Sequence, residues 1–183
     1  MMIAEKIKRF LKFSKTVTVE DKRDKPLKPI DYPAKVLFID DDLFAENCYQ
    51  EDFIFLNFNR EVKENLIEFQ FVSNLFEASA QIQLDPPDLI ISELYLPYCQ
   101  LIGGEEIAPT DYYLKSRSHY GLNIFEILDN FDLDFKIPVI FFSNLVCGSE
   151  YIEKAFELGA IVCLEKSMGD DDLKLTIKKA LQI

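Results

Sequence analysis

A single histidine, His119, stands in a chain of 183 residues. This scarcity excludes a histidine-based catalytic triad and a multi-histidine metal site. It also excludes a histidine phosphotransfer module unless His119 is the acceptor, and its loop setting argues against that. The four cysteines, Cys48, Cys99, Cys147 and Cys163, are scattered, and no C-x-x-C pair occurs. A zinc site, a redox motif and a disulfide framework are thereby disfavoured, and reduced, mostly buried thiols are the better reading. No apolar run approaches the ~20 residues that a membrane-spanning helix needs. The opening MMIAEKIKRFLKF carries a charge every few positions, so it lacks the apolar core of a signal peptide. The expected compartment is the cytoplasm. Glycine-rich phosphate loops and catalytic dyads are absent as well.

Hydrophobic residues make up 49% of the chain, enough for one globular domain with length to spare. The net charge of −12 is unevenly distributed. Residues 1–35 carry ten Lys/Arg against five Asp/Glu, whereas residues 36–183 carry ten against twenty-seven. The acidic body repels nucleic acid, whose affinity for proteins comes largely from phosphate neutralisation, so no nucleic-acid partner is expected. Only the basic start of the chain suits an anionic surface.

Within that start, Ile3, Ile7, Phe10 and Leu11 recur at helical spacing among Lys6, Lys8, Arg9, Lys12 and Lys15, which predicts a basic amphipathic helix over 1–13. Such a helix suits peripheral contact with an anionic membrane, a protein partner, or the acidic body of its own fold. Residues 14–34 are charged and proline-containing without a sustained period, and read as a linker.

From Lys35 to Ile183, strand-like and helix-like patterns alternate. VLFI (Val36–Ile39), DLIIS (Asp88–Ser92) and PVIFFS (Pro138–Ser143) are uniformly apolar runs, as central parallel strands covered on both faces require. Ile67, Phe69 and Phe71 alternate with polar residues, and IVCL (Ile161–Leu164) is short, so both suit sheet edges. Helices are expected over about 42–64, after an Asn74/Glu77 capping box, and over 122–131, 149–158 and 170–183. Five βα units predict an α/β fold: a flavodoxin-like, doubly wound, five-stranded parallel sheet of order 2-1-3-4-5 with helices on both faces.

In such sheets ligands bind at the carboxyl ends of the strands. Asp40 and Asp41 follow the first strand, Glu93 ends the third, Ser143 the fourth, and Lys166 follows the fifth. Clustered carboxylates call for a cation, and a hydroxyl with an ammonium suits the oxygens of a phosphoryl group. An acidic pair, a lone serine or a lone lysine is individually unremarkable. Four matches in order, at the right strand ends, are not.

Over residues 35–183 the chain resembles response-regulator receiver domains of two-component signalling. KVLFIDDD, DLIISELYLP, IPVIFFS and AFELGAIVCLEK carry the resemblance. It implies a phosphoacceptor site made of Glu93, Ser143 and Lys166, with Mg²⁺ held by Asp40, Asp41, Glu93 and the Tyr95 carbonyl.

Four departures make this an atypical, pseudo-receiver pattern. Glu93 stands where the family has its acceptor aspartate. Ser167 follows Lys166 where the family commonly has proline. Cys163 takes the place of the switch aromatic. Residues 98–120 form an insertion between Pro97 and Gly121 where the family has a short loop. The insertion is either a self-packed decoration or a lid or partner surface, with Tyr112, Tyr113, Tyr120, Lys115 and Arg117 as interface-type residues. Gly103-Gly104 and Pro109 argue against a regular element in its first half.

The longer glutamate is expected to be a poor phosphoacceptor, and Mg²⁺ to bind weakly or not at all. Glu93 either preserves a salt bridge to Lys166 or imitates the phosphorylated state. The expected function is a stand-alone, phosphorylation-independent signalling module without enzymatic activity, acting through a protein partner, with a homodimer also open. No output domain follows the last predicted helix, so output would run through its own surface. The alternative is a working phosphoacceptor of unusual carboxylate chemistry in a phosphorelay.

Overall fold

The structure is a computed structural model, and it describes residues 25–41, 47–96, 101–102, 105–106, 120–131, 133–144, 150–168 and 170–183. Strands β1 (Ala34–Ile39), β2 (Ile67–Val72), β3 (Leu89–Ser92), β4 (Val139–Ser143) and β5 (Val162–Glu165) form one parallel sheet of order β2-β1-β3-β4-β5. This is the flavodoxin-like arrangement expected from the alternation of patterns. Every residue of β3 and β4 is buried, as their unbroken apolar runs require. At the edge, β2 leaves Glu68 exposed.

Successive side chains of a strand point to opposite faces, so each strand feeds two cores. Val36 and Phe38 of β1 join Leu89, Ile91, Ile140 and Leu164 on one face. Helices α1 (Asn47–Lys63) and α5 (Asp170–Leu181) cover that face with Phe53, Phe58, Leu173, Ile177 and Leu181. Leu37 and Ile39 join Ile90, Val139 and Phe141 on the other face. There α2 (Leu75–Leu84), α3 (Ile124–Asn130) and α4 (Glu150–Leu158) supply Ala78, Ile82, Ile124, Phe125, Leu128 and Ala155. Burial of each large side chain contributes ~1.5–3 kcal/mol, so the two apolar layers dominate the fold's stability. Phe38, Phe53, Phe58 and Phe69 pack as a ring cluster beside the β2 edge, with centroids 5.0 Å apart for Phe58 and Phe69 and 5.7 Å for Phe38 and Phe53.

Local chemistry sets several boundaries. The Asn74 side chain accepts the Glu77 amide at 2.9 Å and so caps α2. Glu77 reaches back to the amide of Ser73, one residue earlier than the reciprocal bond of a standard capping box. The helix expected over 122–131 begins as a 3₁₀ turn (Tyr120–Asn123) and becomes α-helical at Ile124. Gly159, at φ 112°, ends α4 in a conformation that favours glycine.

Two readings of the sequence need correction. Residues 25–33, placed within the linker, form a strap across the amino end of the sheet. Leu27 pairs in parallel with Lys136, the Lys28 amide donates to the Lys136 carbonyl at 3.1 Å, and the Lys136 amide donates to Pro26 at 2.8 Å. The Lys28 ammonium bonds the Pro86 carbonyl at 2.6 Å and lies 2.9 Å from the buried Asp88 carboxylate. The other oxygen of Asp88 accepts the Lys35 amide at 2.8 Å. The second correction concerns the insertion. Leu101–Ile102 and Glu105–Glu106 pair as a small antiparallel ladder, a regular element in the first half of the insertion. The amphipathic helix expected over 1–13, the linker as far as residue 24 and the remainder of the insertion up to residue 119 lie outside the described residues.

Candidate functional site

The sheet order reverses between β1 and β3, and the ends of these two strands place the first acidic groups. Ile39 pairs with Ser92, and the Glu93 amide donates to the Ile39 carbonyl at 2.8 Å. Asp40 and Glu93 therefore emerge side by side. On the far side of the sheet, Ser143 pairs with Glu165, and the next residue, Lys166, opens a 3₁₀ turn (Lys166–Met168). That turn delivers the ammonium to the site without the proline that the family commonly places after the lysine.

The Lys166 Nζ lies 2.6 Å from Asp40 Oδ2 and 2.7 Å from Glu93 Oε2. Both carboxylates are almost fully buried and the lysine is largely so, so water screens these pairs poorly. The remaining Glu93 oxygen, Oε1, accepts the amide of Leu94 at 2.7 Å and of Tyr95 at 3.1 Å. Burial pulls the Lys166 ammonium toward the neutral form, but Glu93 first and Asp40 second outweigh it, and the pKa ends above its ordinary value. The ammonium is thus a fixed positive charge between two negative ones.

The other predicted residues lie at the same end of the sheet but outside this ion cluster. Asp41 follows Asp40 and is half-buried. Ser143 is buried, and its Oγ has no hydrogen-bond partner among the described residues. It lines a narrow crevice with Leu94, Phe141, Ile152, Cys163, Leu164 and Glu165. Cys163 is buried in the apolar layer beneath α4.

The Mg²⁺ that the receiver resemblance implies would draw on Asp40, Asp41, Glu93 and the Tyr95 carbonyl. Mg²⁺ demands near-octahedral oxygen donors at ~2.0–2.1 Å and keeps several waters. In this arrangement Lys166 pairs with both Asp40 and Glu93 and offsets one of their two charges, and backbone amides occupy the other Glu93 oxygen. Among the described residues no three His, Cys, Asp or Glu side chains form a ready cage. A divalent ion here would compete with Lys166 and these amides for the Asp40 and Glu93 oxygens.

One part of the site is not apparent from residue types. Gly121, where the insertion returns, lies against the peptide that follows Glu93. Its amide donates to the Leu94 carbonyl at 3.1 Å, and a Cβ there would stand 2.2 Å from the Glu93 carbonyl oxygen. The only sequence signal was a glycine at the end of a long excursion.

No protein-family model matches the sequence. No curated protein matches it either. Solved structures do match. The Francisella response regulator 1452 receiver domain aligns at TM-score 0.55 and 20% identity, over 81% of this chain and 97% of that one. A response regulator from Desulfuromonas acetoxidans gives 0.54 and 19%, over 81% and 97%. The non-phosphorylated HemR receiver domain from Leptospira biflexa gives 0.54 and 16%, over 82% and 95%. The chain has the fold of response-regulator receiver domains, with a buried carboxylate–lysine–carboxylate cluster at the carboxyl end of its sheet.

Proposed function

We propose that this chain is a phosphorylation-independent, pseudo-receiver signalling module that works by binding another protein. The supporting observation is the full engagement of Glu93: one oxygen holds Lys166 and the other holds two backbone amides. A phosphoacceptor must present a carboxylate oxygen in line with the phosphoryl donor, and ~1 Å of misplacement can cost ~100-fold. Presenting an oxygen here requires breaking a buried ion pair or a pair of backbone bonds. The lysine that would neutralise an incoming phosphoryl group is already neutralised from within. The pocket is then a lock in a receiver fold, and signalling runs through contact surfaces.

A second reading, a working phosphoacceptor in a phosphorelay, draws on one observation. The buried Ser143 hydroxyl, without a partner among the described residues, is a group that a phosphoryl oxygen would satisfy.

The two readings separate in one experiment. The full chain and its Glu93→Asp variant are incubated with acetyl phosphate and Mg²⁺, and acyl phosphate is followed by intact mass and peptide mapping. The expected result is no labelling of the native chain. Labelling of the variant would mean that only the extra methylene silences the site. A stable acyl phosphate on Glu93 of the native chain would overturn the lock. A pull-down from the native organism with the full chain as bait then addresses the partner.

A further inference from the structure

We propose that Gly121 is a positioning residue that welds the base of the insertion to the ion cluster, so that the excursion and the site respond to each other. The excursion departs immediately beyond the β3 end and returns to the same place. At its return the Gly121 amide bonds the Leu94 carbonyl at 3.1 Å. The glycine approaches so closely that a Cβ would meet the Glu93 carbonyl oxygen at 2.2 Å and the Leu94 Cα and carbonyl oxygen at 2.9 Å each. All three are backbone atoms, which cannot rotate aside as a flexible side chain would.

The Glu93 carbonyl is also held by the Ser92 hydroxyl, which donates to it at 2.9 Å. The next two amides, Leu94 and Tyr95, hold Glu93 Oε1, and Oε2 holds Lys166. The clamp therefore runs in unbroken contact from Gly121, through two successive peptide groups, to Glu93 Oε1, while Oε2 holds Lys166. Displacing Gly121 moves the peptide whose amides orient Glu93. Coupling of this kind is reciprocal: a perturbed ion cluster must also loosen Gly121. It is a property of the backbone and holds whether or not Glu93 accepts a phosphoryl group. A partner that pulls on the excursion would be felt at Lys166, and a change at Lys166 would be felt by the partner.

The test is site-resolved amide hydrogen exchange on the full chain. The amides of Leu94 and Tyr95 report on the Glu93 side chain, and those of Ile90 and Ile140 report on the core. In Gly121→Ala, protection at Leu94 and Tyr95 should fall at least about ten-fold more than at Ile90 and Ile140. Gly159→Ala is the control. It strains a φ of 112° far along the fold from Glu93, and its nearest new contact is the Phe125 ring at 3.8 Å, so its losses should follow the core. A Gly121→Ala pattern as uniform as that of the control overturns the proposal.

Two further variants decide the matter if Gly121→Ala does not fold. Ser92→Ala removes only the hydroxyl holding the same carbonyl and should give a smaller loss with the same selectivity. Lys166→Met should selectively lower protection of the Gly121 amide. Uniform loss in either variant sinks the coupling.

Discussion

At the residue scale the site is an electrostatic balance that one substitution can tip. Lys166 serves two buried carboxylates, so Lys166→Met leaves both uncompensated and should cost about 3–5 kcal/mol. Glu93→Gln keeps an oxygen for the Leu94 and Tyr95 amides and leaves Lys166 paired with Asp40, so it should cost only about 1.5–3 kcal/mol. Urea unfolding of both variants checks the order, and a larger loss for Glu93→Gln would mean that Lys166 contributes little. The sign of the pH dependence follows from the same geometry. The Lys166 pKa is raised on folding, so its contribution is complete below about 10.5 and is lost as pH rises through the folded value. The urea midpoint of the native chain should therefore fall toward that of Lys166→Met at strongly alkaline pH. A constant gap between the two across that range contradicts the assignment. Asp40, Glu93 and Lys166 were legible in the sequence because acids and a lysine at strand ends stand out against apolar runs. Their bonding was not, because residue types do not reveal that the lysine bridges both acids or that Glu93 folds back onto its own backbone.

At the element scale, the elements read best are those whose burial is periodic and continuous. β1, β3 and β4 are apolar runs with every strand position but Lys35 buried, and both faces of the sheet follow from them. The ladder at Leu101–Ile102 and Glu105–Glu106 escaped because two-residue strands have no period to read. The tie between the two helices on the first face escaped for another reason: it joins Glu61 of α1 to Lys178 of α5, far apart in the chain. Burial pushes the Glu61 carboxyl up, but its hydrogen bond to Lys178 and the nearby positive charge outweigh this and hold it below its ordinary value. A depressed carboxyl pKa means that the contribution is present above about pH 4.5 and is lost as pH falls through the folded value. Lys178→Met should thus lower the thermal midpoint at neutral pH, and by less at about pH 3, because the ion pair's contribution is lost as pH falls through the folded value. An equal deficit at both pH values would show that Lys178 acts through packing of its aliphatic stem and not through Glu61.

At the scale of the whole molecule the fold is bipolar. The ion cluster and Gly121 lie at the carboxyl end of the sheet, whereas the described chain begins at Lys25, at the amino end. The strap at this end was read as linker because its composition is that of a linker, and its ties to Leu133, Lys136, Pro86 and Asp88 are too long-range for any local pattern to expose. Its structural weight rests on Asp88, a carboxylate whose side chain is 2% exposed and whose cationic partner is Lys28 of the strap. Shortening the chain to begin at Ala34 removes Lys28, leaves Asp88 with the Lys35 amide, and strands a buried charge at the start of β3. Such a loss is worth about 3–5 kcal/mol. At ~2–4 °C per kcal/mol for a domain of this size, the thermal midpoint should fall by about 10 °C relative to a chain beginning at Lys25. Adding Asp88→Asn to the shorter chain removes the stranded charge and should recover part of the loss, whereas in the longer chain the same substitution should destabilise. If the two lengths melt together, the strap is only laid on the domain, and the basic segment ahead of it is tethered by a true linker. If they differ as expected, the domain begins at the strap, at the pole of the sheet opposite the carboxylate site.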